Sequence, residues 1–258
     1  MKIDIPDPVA FWLGNRPIYW YGILIAVAIL LGTYLVLREA EKQKLNQDHV
    51  LNIILWVIPA AFIGARLYYV IFNWSFYSRN LSEIVAVWHG GLAIHGGLLG
   101  GFLAAYFLLK KYGIDFWQAA DLASPSIILG QAIGRWGNFF NQEAYGYEVD
   151  PETLPWAMYL DGAYRHPTFL YESFWNLAVF FFLIWLRRRK RIRRGDVFLS
   201  YVVLYSVGRF FIEGLRTDSL MLTANLRVAQ VVSVVAIIIG LVLIYYQHRR
   251  KSKDGTVS

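Results

Sequence analysis

The residues best equipped for chemistry in this chain are arginines set in apolar surroundings. "GQAIGRWGNFFNQE", residues 130 to 143, begins as an apolar segment and ends in Arg135, Asn138, Asn141, Gln142 and Glu143. "YSVGRFFIEGLR", residues 205 to 216, carries Tyr205, Arg209, Glu213 and Arg216. At 100° per helical residue these last four fall on one stripe about 80° wide. Gln131, Arg135, Asn138 and Gln142 fall within roughly 60° if their helix continues that far. Two polar stripes can therefore face one another. Opposed arginines repel unless an anion or carboxylates intervene, and paired guanidinium groups hold phosphate oxygens through forked, charge-assisted hydrogen bonds. An anion is the natural ligand of this pattern.

Other polar residues carry a plainer reading beside the functional one. Arg66, in "GARLYY", reads as readily as a plain anchor or carboxylate partner as it does as a site residue. Glu213, four residues after Arg209, fits an intrahelical ion pair better than a catalytic acid. His95 could be a packing histidine, but the glycines around it admit a ligand or a second helix at close range. No metal set emerges from five scattered histidines and no cysteine. The absence of cysteine also removes disulfides and a cysteine nucleophile, so any thiol chemistry must use a thiol of the substrate.

The elements that must hold these groups are apolar. Of 258 residues 57% are hydrophobic, 17% aromatic and only 17% charged, which suits a bilayer rather than water. Apolar runs near 18–37, 50–72, 84–109, 116–135, 168–186, 197–214 and 228–246 are mostly long enough to cross a hydrocarbon core of roughly 30 Å as helices. The expected fold is an all-α integral membrane protein of about seven transmembrane helices in a single domain, 1–258. Paired glycines from Gly90 to Gly101 thin the third run, and Asp121 and Pro125 interrupt the fourth, so six spans and a re-entrant segment are the alternative. The first 17 residues, with Asp4, Pro6, Asp7 and Pro8, do not read as a cleavable signal peptide.

Assigning loops alternately places 16 of the 25 basic residues on one side, including the run "RRRKRIRR" at 187–194, against six on the other. The positive-inside rule then sets the N-terminus outside and the C-terminus, with its basic tail at 247–258, in the cytoplasm. The net charge of +7 needs no nucleic-acid partner, because a basic run beside a span serves topology and anionic lipid. The longest outer loop, about 143–167, reads as a small external cap. In this orientation Tyr21, Arg66, His95, Arg135, Asn138, Arg209, Glu213 and Arg216 all reach the outer leaflet, where an anion-binding cavity suggests a phospholipid headgroup. An anion or lipid transporter would also use such a cavity, but the repeat halves and midplane site typical of transporters are not found. A scaffold for anionic lipids would not require His95 together with Arg135.

"GRWGNFFNQE" (134–143) closely resembles the signature G-R-x-G-N-F-x-N-x-E of the prolipoprotein diacylglyceryl transferases. "HGGL" at 95–98, "HPTFLYE" at 166–172 and "YSVGRFFIEGLRTDSL" at 205–220 resemble the family's other blocks, in the same order. The resemblance covers nearly the whole chain. It implies transfer of the diacylglyceryl group of phosphatidylglycerol to the lipobox cysteine thiol of a prolipoprotein signal peptide, leaving a thioether and glycerol phosphate. It also implies a multi-pass protein of the bacterial inner (cytoplasmic) membrane, with the active site toward the outer leaflet and no cofactor. Carried over by motif, His95, Arg135 and Arg209 are the expected catalytic residues. Tyr21, Arg135, Asn138, Glu143, Gly146, Tyr205, Arg209, Glu213 and Arg216 are expected to bind phosphatidylglycerol. A thiol of pKa about 8.5 is mostly protonated at neutral pH, so a base is useful, and His95 is the first candidate. Phe169 departs from the glutamine that many relatives have after H-P-[ST], and on that ground the block's local polar contacts receive no catalytic weight.

Overall fold

A computed structural model describes residues 6–223 and 226–254. Lys2, counted in the charge argument, and the end of the basic tail, with its side chains from Arg250 onward, lie outside what is described. The chain divides into two compact units, one of Met1–Leu35 with Ala120–Ser258 and one of Val36–Ala119.

The first unit opens with the antiparallel hairpin β1 (Val9–Leu13) and β2 (Arg16–Tyr19), which runs straight into helix α1 (Trp20–Lys42). In the second unit α2 (Gln47–Phe72) starts at Asn46, whose side chain accepts from the Asp48 and His49 amides at 2.9 and 3.2 Å and so satisfies two orphan N–H groups. The short helix α3 (Trp74–Tyr77) and two single 3₁₀ turns lead to α4 (Ile94–Tyr112), which ends at left-handed Gly113. α4 therefore begins ten residues later than the apolar run at 84 suggested. Residues 81–93 form turns, because Gly90 and Gly91 adopt φ of +85° and +80°, which side chains resist. α4 packs on α2 through small residues: a Cβ on Gly64 would strike the Gly96 carbonyl, and one on Gly100 would come within 2.5 Å of the Ala60 carbonyl. Such close backbone approach is what glycine offers two helices without a hydrophobic driving force.

The first unit resumes in α5 (Phe116–Phe140), which runs unbroken through Asp121 and Pro125. Asp121 serves the structure here, since its carboxylate accepts from the Gly195 amide at 2.6 Å and the Phe198 amide at 2.8 Å, capping α7 (Asp196–Glu213) from outside that helix. Between α5 and α6 (Thr168–Leu186) the hairpin β3 (Met158–Leu160) and β4 (Ala163–Arg165) turns at Asp161 and Gly162, both at positive φ. β5 (Met221–Thr223) and β6 (Leu226–Arg227) precede α8 (Val228–Asp254). Ile128, Val179, Leu183 and Val197 form one buried cluster shared by α5, α6 and α7. Phe139, Met158, Leu160 and Phe169 form another beneath the β3–β4 hairpin.

Among the described residues four helices, α1, α2, α6 and α8, are long and apolar enough to cross a membrane. Only 11% of the apolar window of α1, and the same share of α8, is buried inside the protein, so most of that surface needs a lipid solvent.

Candidate functional site

The first unit gathers its charges around one carboxylate. Glu172, one turn into the apolar helix α6, is 4% exposed. Its Oε2 lies 2.7 Å from Nε of Arg135 on α5. Its Oε1 accepts from Nη1 of Arg209 on α7 at 2.9 Å and lies 3.6 Å from Nη1 of Arg216. A lone carboxylate at such a depth would be costly, and three guanidinium groups from separate segments offset that cost. The first turn of α6 is held in turn by Thr168, whose hydroxyl donates to the Ala144 carbonyl at 2.5 Å.

Arg209 also pairs with Glu213, Nη2 to Oε2, at 2.5 Å, an ion pair without hydrogen-bond alignment. Arg216 forks onto Asp218, with Nε donating to Oδ1 at 2.9 Å and Nη2 to Oδ2 at 2.6 Å. Those hydrogen bonds hold the Asp218 carboxyl below the usual carboxylate range. Three arginines thus face three carboxylates. The opposed arginines expected from the helical wheel do meet, and the anion between them here is the chain's own glutamate.

α5 ends in a way that aims the next polar groups. Gln142 takes the left-handed conformation (φ +57°), its amide bonding back to the Phe139 carbonyl while the Glu143 amide reaches the Asn138 carbonyl. This paired closure ends the helix at Phe140, so Gln142 leaves the stripe on which a longer helix would have put it. Glu143 is turned back instead: Asn138 donates to its Oε1 at 2.8 Å and Asn141 at 3.5 Å, while Arg135 Nη1 donates to Asn138 Oδ1 at 3.3 Å. Arg135, Asn138 and Glu143 form one chain of contacts. Arg216 likewise lies beyond the end of α7, and a β-bridge to Gly146 carries it to Glu172 in place of helical periodicity. A Cβ on Gly146 would meet the His166 Cβ at 2.6 Å and the Leu215 carbonyl at 3.0 Å, so the bridge requires glycine.

Tyr21 packs its ring against Gly137, where no Cβ would fit. It lines an open, mostly apolar groove of about 730 Å³ with Pro17, Ile18, Tyr19 and Asn141. Tyr205 is drawn into packing, stacked on Tyr201 at 5.9 Å between ring centres. Phe169, the departure from the family block, stacks on Phe139 at 4.5 Å and belongs to the apolar cluster. Phe169 is core, whereas Glu172, three residues on in the block whose polar contacts received no catalytic weight, is the residue on which the arginines converge. The signal was present, since three deep arginines need counter-charges and Glu172 is the only acidic residue of α6.

Two predicted residues belong to the other unit. Arg66 is buried rather than anchored at a surface, and among the described residues it meets no carboxylate. It is 6% exposed and donates to five backbone carbonyls: Ile84 at 3.0 Å, Gly90 at 2.5 Å, Gly91 at 2.8 Å, Glu83 at 2.5 Å and Ala86 at 3.3 Å. It thereby ties the irregular segment before α4 to α2, helped by the Ala93 amide bonding the Ala65 carbonyl at 3.0 Å. His95 follows in the first turn of α4, exposed, its ring tilted against Tyr68 at 6.0 Å. Among the described residues no group of three or more histidine, aspartate or glutamate side chains could hold a metal ion.

Comparison with known proteins gives matches along most of the chain. The family model described as prolipoprotein diacylglyceryl transferase matches residues 8–246. A phosphatidylglycerol–prolipoprotein diacylglyceryl transferase of Geobacillus kaustophilus is 52% identical over 246 residues, 92% of this chain and 91% of the relative. The protein of the same name from Bacillus velezensis is 49% identical over 257 residues, 96% and 94% of the two chains. That from Listeria monocytogenes serotype 4a is 49% identical over 250 residues, 93% and 90%.

Proposed function

The chain belongs to the prolipoprotein diacylglyceryl transferase family, and from that premise we propose that it transfers the diacylglyceryl group of phosphatidylglycerol to the cysteine thiol of a prolipoprotein. The sulfur attacks the glyceryl carbon that bears the phosphate. The C–O bond breaks, its electron pair stays on the phosphate oxygen, and glycerol phosphate leaves. Positioned guanidinium groups can stabilise that developing charge without a metal. The observation that carries the site assignment is the convergence of Arg135, Arg209 and Arg216 on one buried glutamate. Arg135 and Arg209 keep side chains about one-fifth exposed, so each retains an edge for a phosphate oxygen.

Around them Asn138 and Glu143 fix the outward end of Arg135, and Glu213 and Gly146 set Arg209 and Arg216. Tyr21 and Tyr205 complete the lipid-binding set, Tyr21 from the apolar groove, which suits an acyl chain. His95 takes the thiol proton. Its support is the family block it heads and its exposed imidazole. The molecule is read as one polytopic domain of the bacterial inner membrane. The less apolar helices α4, α5 and α7 join the four apolar ones in crossing it, with the N-terminus and the 143–167 segment outside and the basic loops inside.

The test is transfer by the purified protein in phosphatidylglycerol vesicles to a cysteine-containing lipoprotein peptide, for wild type, Arg135→Lys and Arg209→Lys. Lysine keeps the charge but loses the planar fork. Each variant should transfer about ten- to a hundredfold more slowly, the worth of one charged hydrogen bond in the transition state. Wild-type rates in both would refute the two-arginine assignment.

A further inference from the structure

Glu172 does more than fill a space between arginines. Arg135, Arg209 and Arg216 are matched one for one by Glu172, Glu213 and Asp218. Glu143, one hydrogen bond farther out through Asn138, adds a negative charge, and Arg227, whose guanidinium donates to the Glu213 carbonyl, adds a positive one. The cluster therefore has no surplus positive charge with which to grip an anion. It has instead well-directed donors, which stabilise charge at the oxygens they touch while the net attraction on the whole ligand stays small.

Within the reaction proposed above, on which this inference rests, the phosphorus group changes charge. Phosphatidylglycerol presents a phosphodiester with one negative charge. When the C–O bond breaks, the group becomes a phosphomonoester whose second ionisation lies near pH 6, so at neutral pH it carries close to two. A site of surplus positive charge would hold the product more tightly than the substrate and would stall. In a balanced one the larger desolvation cost of the doubly charged product is not repaid by a net attraction, which favours the opposite order.

We infer that Glu172 is a specificity-determining and positioning residue: by cancelling one guanidinium charge it tunes the arginine cluster to accept a singly charged phosphodiester and to release a doubly charged phosphomonoester. Its second role is geometric, since its two oxygens hold Arg135 and Arg209 in fixed relation. The two roles separate under substitution. Glu172→Gln is nearly isosteric but leaves the cluster one charge more positive. Glu172→Asp keeps the charge and shortens the reach.

The experiment compares glycerol phosphate with its methyl diester, a permanent monoanion, as ligands of the purified protein in neutral-lipid nanodiscs. Equilibrium binding is measured first, then inhibition of transfer from phosphatidylglycerol. Wild type should bind the methyl diester more tightly than the monoester. Glu172→Gln should shift that preference toward the monoester by about tenfold, the order expected for one uncancelled charge in a partly wet site. Its turnover should fall while KM for phosphatidylglycerol holds or drops, because product leaves slowly. Glu172→Asp should lose turnover but keep the wild-type preference. A purely structural glutamate would slow both variants and leave the preference alone. An unchanged preference in Glu172→Gln overturns the inference, and so does tighter binding of the monoester by wild type, a comparison that needs no variant. Failure of wild type to transfer the diacylglyceryl group would instead refute the proposed reaction, because the binding comparison stands without turnover.

Discussion

Replacing Arg66 with lysine tests whether one buried guanidinium organises the approach to α4. Arg66 makes five hydrogen bonds to carbonyls, and those of Ile84, Gly90 and Gly91 receive no backbone donor, whereas Glu83 and Ala86 also accept from the Ala86 and His89 amides. An ammonium group has three donors and no fork, so at least two bonds are lost. Charged hydrogen bonds contribute about 1.5 to 3 kcal/mol each, and the two doubly served carbonyls soften the loss, which leaves about 2 to 4 kcal/mol. For a chain of this size that lowers the apparent melting midpoint by about 4 to 16 °C. The measurement is thermal denaturation in detergent micelles at one scan rate, followed by tryptophan fluorescence, with Arg79→Lys as an exposed control. Cleavage after Glu83 by a glutamate-specific protease should accelerate in parallel. An Arg66→Lys midpoint equal to that of Arg79→Lys, with unchanged cleavage, would refute the clamp.

Two further outcomes are expected. His95→Asn, which keeps a hydrogen-bonding group and removes the titrating imidazole, should lower transfer by about a hundredfold or more while lipid binding is retained, the usual worth of a positioned general base; near-normal turnover at neutral pH would exclude that role. The chain has no cysteine, so single cysteines report orientation without background: in intact cells an impermeant thiol reagent should label Glu152→Cys and spare Lys190→Cys, and the reverse pattern would invert the topology.

Beside the family signature at 134–143, the part of this protein that was legible in its sequence is the part set by local repetition. Long apolar helices follow from residue type, because lipid tolerates no unpaired backbone and a helix pairs its own. The alignment of Arg135 with Asn138, and of Arg209 with Glu213, follows from 3.6 residues per turn wherever the helix persists. Periodicity ceases to guide where the helix ends. It puts Gln142 and Arg216 on helical stripes, but α5 closes at Phe140 and α7 at Glu213, and a left-handed residue and a β-bridge decide where the chain goes next.

Partnership was decided by the tertiary structure alone. Periodicity says which side chains share a face and nothing about what that face meets. Arg66 and Arg135 look alike in sequence, each one arginine in an apolar helix. One closes on five carbonyls of its own unit, while the other meets a glutamate 37 residues away. Glu172 was hidden for the same reason: Phe169, its neighbour along the chain, marks the block as apolar, whereas the role of Glu172 comes from arginines on α5, on α7 and beyond α7. Burying a carboxylate is costly at any depth, and only the packing of those segments supplies the three guanidinium groups that make this one stable where it stands.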